Sequence, residues 1–354
     1  MNSKIVKFSD FTIVPVLKSI KNIAMDDETY FSSKYSKYIS NSRLKWIDPE
    51  SDGSPDLFKS PPRITTNSLS IGSSVHEVLL QPDEFELAPK FNRPTAKLGQ
   101  VIEEVYKFRK QNLSIEQSIR RACEKVGYYV NQINKKIPMI IEKGITYYLS
   151  RYAYEKQSFN KTQIFLSDSD HDVVSSCLES CYNNNKLMNF LYPKDIFGDK
   201  IESHCEDAFF IDFVVTYQHR HCTTLRFKLK ADNWTIDYDE KVVTLNDLKT
   251  TSKPVQWFMH PEYGSMTKYR YDRQMACYSN ILWYYCVQNF GVCKNQGWTL
   301  KANMLVVQTT PPYTSACFPV DRSLLKKGQL HFEQLMKRVA YYEIFGYEKE
   351  VDFC

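Results

Sequence analysis

With 354 residues, of which 43% are hydrophobic and 14% aromatic, the chain is long enough to bury a substantial core, and a disordered protein is excluded. The formal net charge of +5 at pH 7 is compatible with a polyanionic partner but does not require one. Ten cysteines without repeated spacing, an N-terminus without an apolar signal sequence and the lack of any run of about 18 apolar residues predict reduced thiols, a cytoplasmic location and no membrane span.

The N-terminal segment differs in composition from the rest of the chain. Residues 1–65 are polar, rich in Ser and broken by prolines, and we therefore predict an irregular arm with little helix. Within it, a short helix can begin near Ser40 or Asn41, either of which can cap it. We assign residues 66–354 to the main domain.

Residues 71–80 have the pattern of an amphipathic helix. Val75 and Val78 recur at helical spacing and would bury one stripe, with His76 beside its edge. Pro82 then ends the helix. On its own, a histidine in this position is more often a hydrogen-bonded structural residue than a metal ligand.

Residues 98–200 are largely helical and charged in pattern. Apolar residues form a stripe through Ile115, Ile119 and Ala122, and Ser114 begins a capping-box motif. We predict that these helices are scaffold.

The central pattern of the sequence is a pair of strands. In residues 225–232, side chains alternate between an apolar face and a polar face that ends in Asp232. After a polar turn predicted over residues 233–241, a second run places Asp247 and Lys249 on one face, because residues two apart point the same way. A hairpin of this kind brings Asp232 close to Asp247.

Two carboxylates that converge beside a lysine are what a hydrolytic Mg²⁺ site requires. Hard divalent cations prefer oxygen ligands and keep several waters, so Asp232 and Asp247 could bind a metal without enclosing it. Lys249 could then orient or polarise the attacking water. The strand-face argument favours Asp232 as the first acid, although Asp237 and Asp239 in the predicted turn remain alternatives.

A helix is predicted after the hairpin. Gln274 and Tyr278 are four residues apart and therefore lie on the same face of this helix. Beyond it, alternation predicts a strand over residues 300–308, and an amphipathic helix over residues 321–345 closes the domain.

These motifs resemble those of the PD-(D/E)XK nuclease superfamily, and in particular those of RecE-type (exodeoxyribonuclease VIII-like) exonucleases of phages and prophages. The motifs occur in the family's order: a histidine within G-x-x-x-H-x-x-L-L-x-P-x-x-F, an aspartate, D-x-K and Q-x-x-x-Y. The resemblance covers residues 38–345 and is weakest between residues 98 and 160.

The resemblance implies an α/β fold with a PD-(D/E)XK restriction-endonuclease-like core, in which a central mixed sheet is flanked by helices and carries a helical insertion. Residues 66–354 would form this nuclease domain. Its residues 98–200 would be largely helical, and its residues 201–354 would contain the catalytic sheet and the closing helices.

The resemblance also implies a catalytic centre that contains one or two Mg²⁺ or Mn²⁺ ions. The implied metal ligands are His76, Asp232, Asp247 and the backbone carbonyl of Leu248. Lys249 is the implied catalytic lysine, which positions water and stabilises the pentacovalent phosphate.

Further residues are implied around this centre. The family has a glutamate at the start of the strand that precedes the hairpin, and Glu206 is the best match, with Glu202 and Asp207 as open alternatives. Gln274 and Tyr278 are implied to hold DNA phosphate and the catalytic lysine. The charged residues that precede them, Arg270 and Arg273, would neutralise the DNA backbone.

The activity implied by the resemblance is Mg²⁺-dependent, processive digestion of linear double-stranded DNA from the 5′ end. The 3′ single strand that remains would be paired by a single-strand annealing protein. Relatives are often rings that thread DNA, and we therefore expect a homo-oligomer. The resemblance also implies that the protein acts in the cytoplasm of a bacterial host.

Two other functions stay open at this stage. One is a structure-specific nuclease or a Cas4-like end-trimming nuclease, and the other is a catalytically silent DNA-binding module on the same scaffold. Some relatives carry an iron–sulfur cluster held by four cysteines. We expect none here, because the cysteines of this chain do not have that spacing.

Overall fold

The structure, a computed structural model, describes residues 4–62, 67–193, 198–347 and 351–354. One compact unit consists of Met1–Gln81 and Ser176–Cys354, and a second consists of Pro82–Ser175. The strands of the described residues are β1 (Lys4–Val6), β2 (Phe11–Ile23), β3 (Phe85–Leu87), β4 (Thr162–Ile164), β5 (Ile201–Tyr217), β6 (His221–Asp237), β7 (Val242–Thr251), β8 (Thr299–Gln308), β9 (Ser315–Pro319) and β10 (Val351–Phe353). The α-helices of the same residues are α1 (Asp27–Tyr30), α2 (Asn41–Leu44), α3 (Pro55–Lys59), α4 (Asn67–Leu80), α5 (Ala96–Arg109), α6 (Ile115–Lys125), α7 (Val130–Glu155), α8 (Asp168–Tyr182), α9 (Asn185–Leu191), α10 (Ser265–Lys268), α11 (Tyr271–Asn289) and α12 (Arg322–Phe345).

The first unit is built on a six-stranded sheet with the strand order β2-β5-β6-β7-β8-β9. Its neighbouring strands are antiparallel except for β7 and β8, which are parallel. Helix α12 packs on one face, where Phe332 contacts Phe213 and Phe227 at ring-centroid distances of 5.7 and 5.2 Å. The predicted fold class is therefore confirmed: the chain is α/β, with a central mixed sheet flanked by helices.

Strand β6 is longer than the sequence suggested. Residues 233–237, which were predicted as a turn, continue the strand, and the turn is limited to residues 238–241. Phe227 and Leu229 are buried and lie two residues apart, on one face of the strand. Trp234, five residues after Leu229, is also buried and packs edge-to-face on Phe209, the residue paired with Leu229. The buried face therefore changes parity between Leu229 and Trp234, and a strict period of two hides the second half of the strand.

Residues 11–23 correct the expectation of an irregular arm. They form β2 at the edge of the sheet, antiparallel to β5, with Phe11 opposite Tyr217. Two features conceal this strand in the sequence: Pro15 within it, and a register shift between Val16 and Lys21. Both are tolerated because an edge strand does not need every ladder hydrogen bond.

Several predicted helices are confirmed by their caps. Ser40 accepts a hydrogen bond from the backbone of Arg43 at the start of α2. Ser114 and Gln117 form a complete capping box at the start of α6. Helix α12 begins at Arg322, one residue after the predicted start, and ends as predicted.

The second unit has its own small core. Helices α5, α6 and α7 pack around fully buried apolar residues, among them Val101, Ile102, Ile119 and Ile140. The strands β3 and β4 pair in parallel beside them. Among the helices that the structure describes in either unit, none combines the length and the apolar character needed to cross a lipid bilayer.

A close approach between α11 and α12 requires glycine at position 328. A Cβ atom added to Gly328 would lie 2.0 Å from the carbonyl oxygen of Asp272 and 2.8 Å from the backbone nitrogen of Arg273. Because these are backbone atoms, the helices would have to separate, and we expect Gly328→Ala to lower the free energy of unfolding by about 2 to 3 kcal/mol in urea denaturation.

The control for this variant lies on the same helix. Lys326 is exposed, and Lys326→Ala should change the free energy of unfolding by less than about 0.5 kcal/mol. Equal stabilities of the two variants would contradict the close packing of α11 on α12.

Candidate active site

The strands β6 and β7 separate where their acidic residues lie. The ladder pairs residues up to Asn233 with Asn246 and then ends, one position before Asp232 and Asp247. Beyond it, the backbone N–H of Leu248 donates to Asp232 Oδ2 at 2.8 Å instead of to a backbone carbonyl of β6. Asp232 lines a cavity of about 720 Å³ at this point, a volume typical of ligand sites.

Strand β5 places a second acid beside Asp232. Cys205 pairs with Asn233 and Asp207 pairs with Ala231, so Glu206 is the intervening residue on β5 and faces Asp232 across the ladder. Glu206 has a φ of 58°, a left-handed conformation that is rare for residues other than glycine and is often found at functional sites. Burial and the neighbouring Asp232 raise the pKa of Glu206.

Helix α4 completes a cluster of three metal-ligating side chains. His76, Glu206 and Asp232 each offer one ligand atom, and these atoms lie within 4.8 Å of one another. His76 Nδ1 is 3.8 Å from Asp232 Oδ2. Burial and the charge of Lys249 lower the pKa of His76, despite the opposing charge of Asp232, and favour the neutral imidazole that binds metals.

Lys249 connects the two aspartates. Its Nζ atom is 2.5 Å from Asp247 Oδ2 and 3.7 Å from Asp232 Oδ2, and it donates to the carbonyl of Leu248 at 3.2 Å. Burial alone would lower the pKa of Lys249, but the two carboxylates outweigh it and raise this pKa, so the ammonium stays charged. Asp247 is 1% exposed, and burial raises its pKa.

Of the predicted Q-x-x-x-Y residues, Gln274 supports Asp247, and neither residue is among those that line the cavity. Gln274 Nε2 donates to Asp247 Oδ1 at 2.6 Å. Tyr278 is 8% exposed within the core. Burial in the core corrects the predicted phosphate contact of Tyr278, whereas the amide of the half-buried Gln274 is engaged by Asp247.

Arg273 is also corrected. Its side chain is 2% exposed, its Nη1 atom is 2.9 Å from Asp48 Oδ2, and its Nε atom donates to Asn41 Oδ1 at 2.9 Å. It is thus a buried structural residue and not a contact for the DNA backbone. Arg270 forms ion pairs with Glu50 and Asp272, so its charge is already neutralised.

The structure distinguishes the alternatives for the β5 acid. Glu202 accepts hydrogen bonds from the Tyr238 hydroxyl and lies 2.9 Å from His204 Nε2. Asp207 accepts from the Trp234 indole at 2.9 Å. Glu206 is the acid of the three that lines the cavity.

The alternatives to Asp232 lie elsewhere. Asp237 caps the turn by accepting from the backbone N–H of Glu240 at 2.8 Å. Asp239 pairs with Lys200 at 3.2 Å on the surface.

Among the ionisable residues that line the cavity, Lys230, Asp27 and Glu77 were not predicted as site residues. Lys230 contacts both Glu206 and Asp27, and Glu77 lies nearby on α4. A signal existed for Lys230, since it is two residues before Asp232 and therefore on the same strand face. No local pattern brings Asp27, from the N-terminal segment, to this site.

The rim of the cavity combines positive charge with exposed apolar rings. Lys253 and Lys268 line the cavity together with Phe31 and Tyr269, which are 72% and 52% exposed, and Lys268 lies over the Tyr269 ring. Large exposed aromatic residues beside lysines are typical of surfaces that bind single-stranded nucleic acid, because bases stack on rings and lysines neutralise phosphates.

A divalent metal ion fits the cluster of His76, Glu206 and Asp232. The two carboxylates are ligands that both Mg²⁺ and Mn²⁺ prefer, and the neutral imidazole suits a transition-metal ion such as Mn²⁺. Burial and the charge of Asp232 raise the pKa of Glu206, and a bound cation would favour its ionised carboxylate. Of the predicted ligands, Asp247 lies outside this cluster, with its carboxylate held by Gln274 and Lys249.

No protein-family model matches the chain, and no curated protein matches it. Among solved structures, the chain is similar to a crystal structure from Eubacterium rectale that is described as a candidate exonuclease. The two chains are 14% identical with a TM-score of 0.44, and the alignment covers 93% of this chain and 89% of that chain. At this level of similarity we infer no activity from the neighbour and consider only the residues of the cavity.

Proposed function

We propose that this protein is a metal-dependent deoxyribonuclease that hydrolyses phosphodiester bonds in the cavity between β5, β6, β7 and α4. The observation that carries the proposal is the convergence of His76, Glu206 and Asp232 beside the half-buried, charged Lys249. Positive charge and exposed rings at the rim suit a nucleic-acid strand as the substrate.

His76, Glu206 and Asp232 would hold Mg²⁺ or Mn²⁺, which when bound supplies Lewis-acid polarisation of the phosphate and a more acidic water. Lys249 places its ammonium 3.7 Å from Asp232, where it can donate to a phosphate oxygen as negative charge develops. Asp247 fixes that ammonium at 2.5 Å, and Gln274 fixes Asp247 in turn. Asp247 and Gln274 are thus positioning residues.

More specifically, we propose that the protein is an exonuclease that digests linear double-stranded DNA from the 5′ end. It rests on the ordered H, D, D-x-K and Q-x-x-x-Y motifs, which resemble those of RecE-type exonucleases. On the same resemblance we propose that the protein forms a homo-oligomeric ring, that its partner is an annealing protein and that it acts in the cytoplasm of a bacterial host.

Linear duplexes labelled at the 5′ or the 3′ end, incubated beside a closed circle with Mg²⁺ or with a chelator, test this function. The proposal predicts Mg²⁺-dependent release of the 5′ label and an intact circle. Cleavage of the circle would favour a structure-specific endonuclease. Absence of cleavage of any DNA with either Mg²⁺ or Mn²⁺ would leave only a DNA-binding module.

Gln274→Leu should lower the rate of nucleotide release by about 10- to 100-fold, because Asp247 loses the amide that orients it. DNA affinity should stay the same, since the side chain does not line the cavity. The matched control is Asn280→Leu on the same helix, whose amide bonds Gln329 instead. A loss of DNA affinity in Gln274→Leu, at an unchanged maximal rate, would instead restore the phosphate-binding role implied by the family motif.

A further inference from the structure

A second lysine contacts the metal-ligand cluster through Glu206. Lys230 is two residues before Asp232 on β6, and its side chain is 13% exposed. Its Nζ atom forms ion pairs with Glu206 on β5 and with Asp27 at the start of α1. The three residues line the same cavity as His76.

Glu206 is shared between this lysine and the candidate metal site. One of its oxygens belongs to the cluster with His76 and Asp232, and Oε2 contacts Lys230. In two-metal nucleases, two ions lie roughly 3.5–4 Å apart and a shared carboxylate commonly spans them. Glu206 belongs to the ligand cluster and also contacts Lys230, so a second ion bound by this carboxylate would compete with the ammonium.

An ammonium already lies beside Glu206. Lys230 contacts Glu206 and Asp27, whereas Lys249 contacts Asp232 and Asp247. A second divalent ion would have to displace Lys230 from Glu206 and leave an ammonium with little exposure beside a dication, which is unfavourable.

We propose that the ammonium of Lys230 takes the place of a second metal ion, so that the centre binds one divalent cation. This inference rests on the proposed metal-dependent function. Lys230 acts as a built-in cation that neutralises Glu206 and Asp27, and the single ion lies with His76, Glu206 and Asp232.

The number of Mn²⁺ ions bound per chain tests the inference without any measurement of activity. Isothermal titration of the wild-type protein should give one ion, and free Mn²⁺ measured by electron paramagnetic resonance should give the same number. Lys230→Met removes the ammonium but keeps an extended side chain of similar length, and it should bind two ions. Lys230→Arg retains the charge and should bind one.

Lys268→Met is the matched control, because this lysine lines the same cavity but lies 5.5 Å over the Tyr269 ring and forms no ion pair among the described residues. It removes the same charge and should still bind one ion. Circular dichroism and thermal unfolding establish that each variant is folded before titration. If Lys230→Met does not fold, the number of Mn²⁺ ions bound by the wild-type protein tests the inference.

The possible outcomes separate this inference from the function on which it rests. Two ions in the wild type, or one ion in folded Lys230→Met, would overturn the role of Lys230 and leave a metal-dependent nuclease intact. No ion in the wild type would instead contradict the metal-dependent function itself.

Discussion

Replacing Asp232 with Asn is expected to lower the rate of DNA hydrolysis by about 10³-fold or more, equivalent to about 4 kcal/mol of transition-state stabilisation. Asp232 is the residue on which the site converges: its Oδ2 atom is 3.8 Å from His76 and 3.7 Å from Lys249 and accepts from the Leu248 backbone. The amide of Asn can keep that backbone hydrogen bond, but it removes the charge that a cation requires.

The loss should therefore be accompanied by weaker Mn²⁺ binding and not by unfolding. Initial rates of nucleotide release and titration of Mn²⁺ on the same preparation measure both effects. The matched control is Asp239→Asn, which alters a surface acid 66% exposed and paired with Lys200. Its activity should equal that of the wild type. A fully active Asp232→Asn variant would remove this residue from the catalytic centre.

Arg273→Met is expected to lower the free energy of unfolding by about 3 to 5 kcal/mol. The guanidinium contacts Asp48, a carboxylate with 0% exposure, and the other partner of this carboxylate is His331, whose Nε2 atom lies 3.3 Å from Oδ2. Removal of one member of a buried ion pair leaves a charge that neither water nor a full set of partners stabilises, and this costs more than the pair contributes when it is intact.

Urea denaturation measures this prediction. The matched control is Arg322→Met on α12, which alters an exposed arginine and should change stability by less than about 0.5 kcal/mol. A double variant that also carries Asp48→Asn should be less destabilised than the sum of the two single variants, because the unpaired charge is removed. Unchanged stability together with weaker DNA binding would support the phosphate contact suggested by the sequence.

The difference between Asp232 and Arg273 shows what a local pattern can predict. Asp232, Asp247 and Lys249 could be brought together from the sequence because strand periodicity and a single hairpin determine their relative positions. Arg273 lies on a helix whose polar face is covered by the segment that contains Asp48, more than two hundred residues earlier in the chain. No local pattern indicates that cover, so a buried arginine has the same sequence signature as an exposed one.

The same limit applies within the site. The spacing of Gln274 and Tyr278 correctly places them on one helix face, but only the packing of α11 on the sheet shows that this face is directed to Asp247 and the core. Strand periodicity places Lys230 on the face of Asp232, but its role depends on its ion pair with Asp27 from the N-terminal segment. Long-range pairing therefore determines which of several polar residues are functional and which are structural.

The central claim is that His76, Glu206 and Asp232 bind the divalent ion that hydrolysis requires. An anomalous difference map from a crystal soaked in Mn²⁺ tests it most directly. We expect a peak at coordination distance from the imidazole of His76 and from the carboxylates of Glu206 and Asp232. A fully soaked crystal with no peak among these three side chains, or with its ion bound elsewhere, would show that they are not the ligands of the hydrolytic ion.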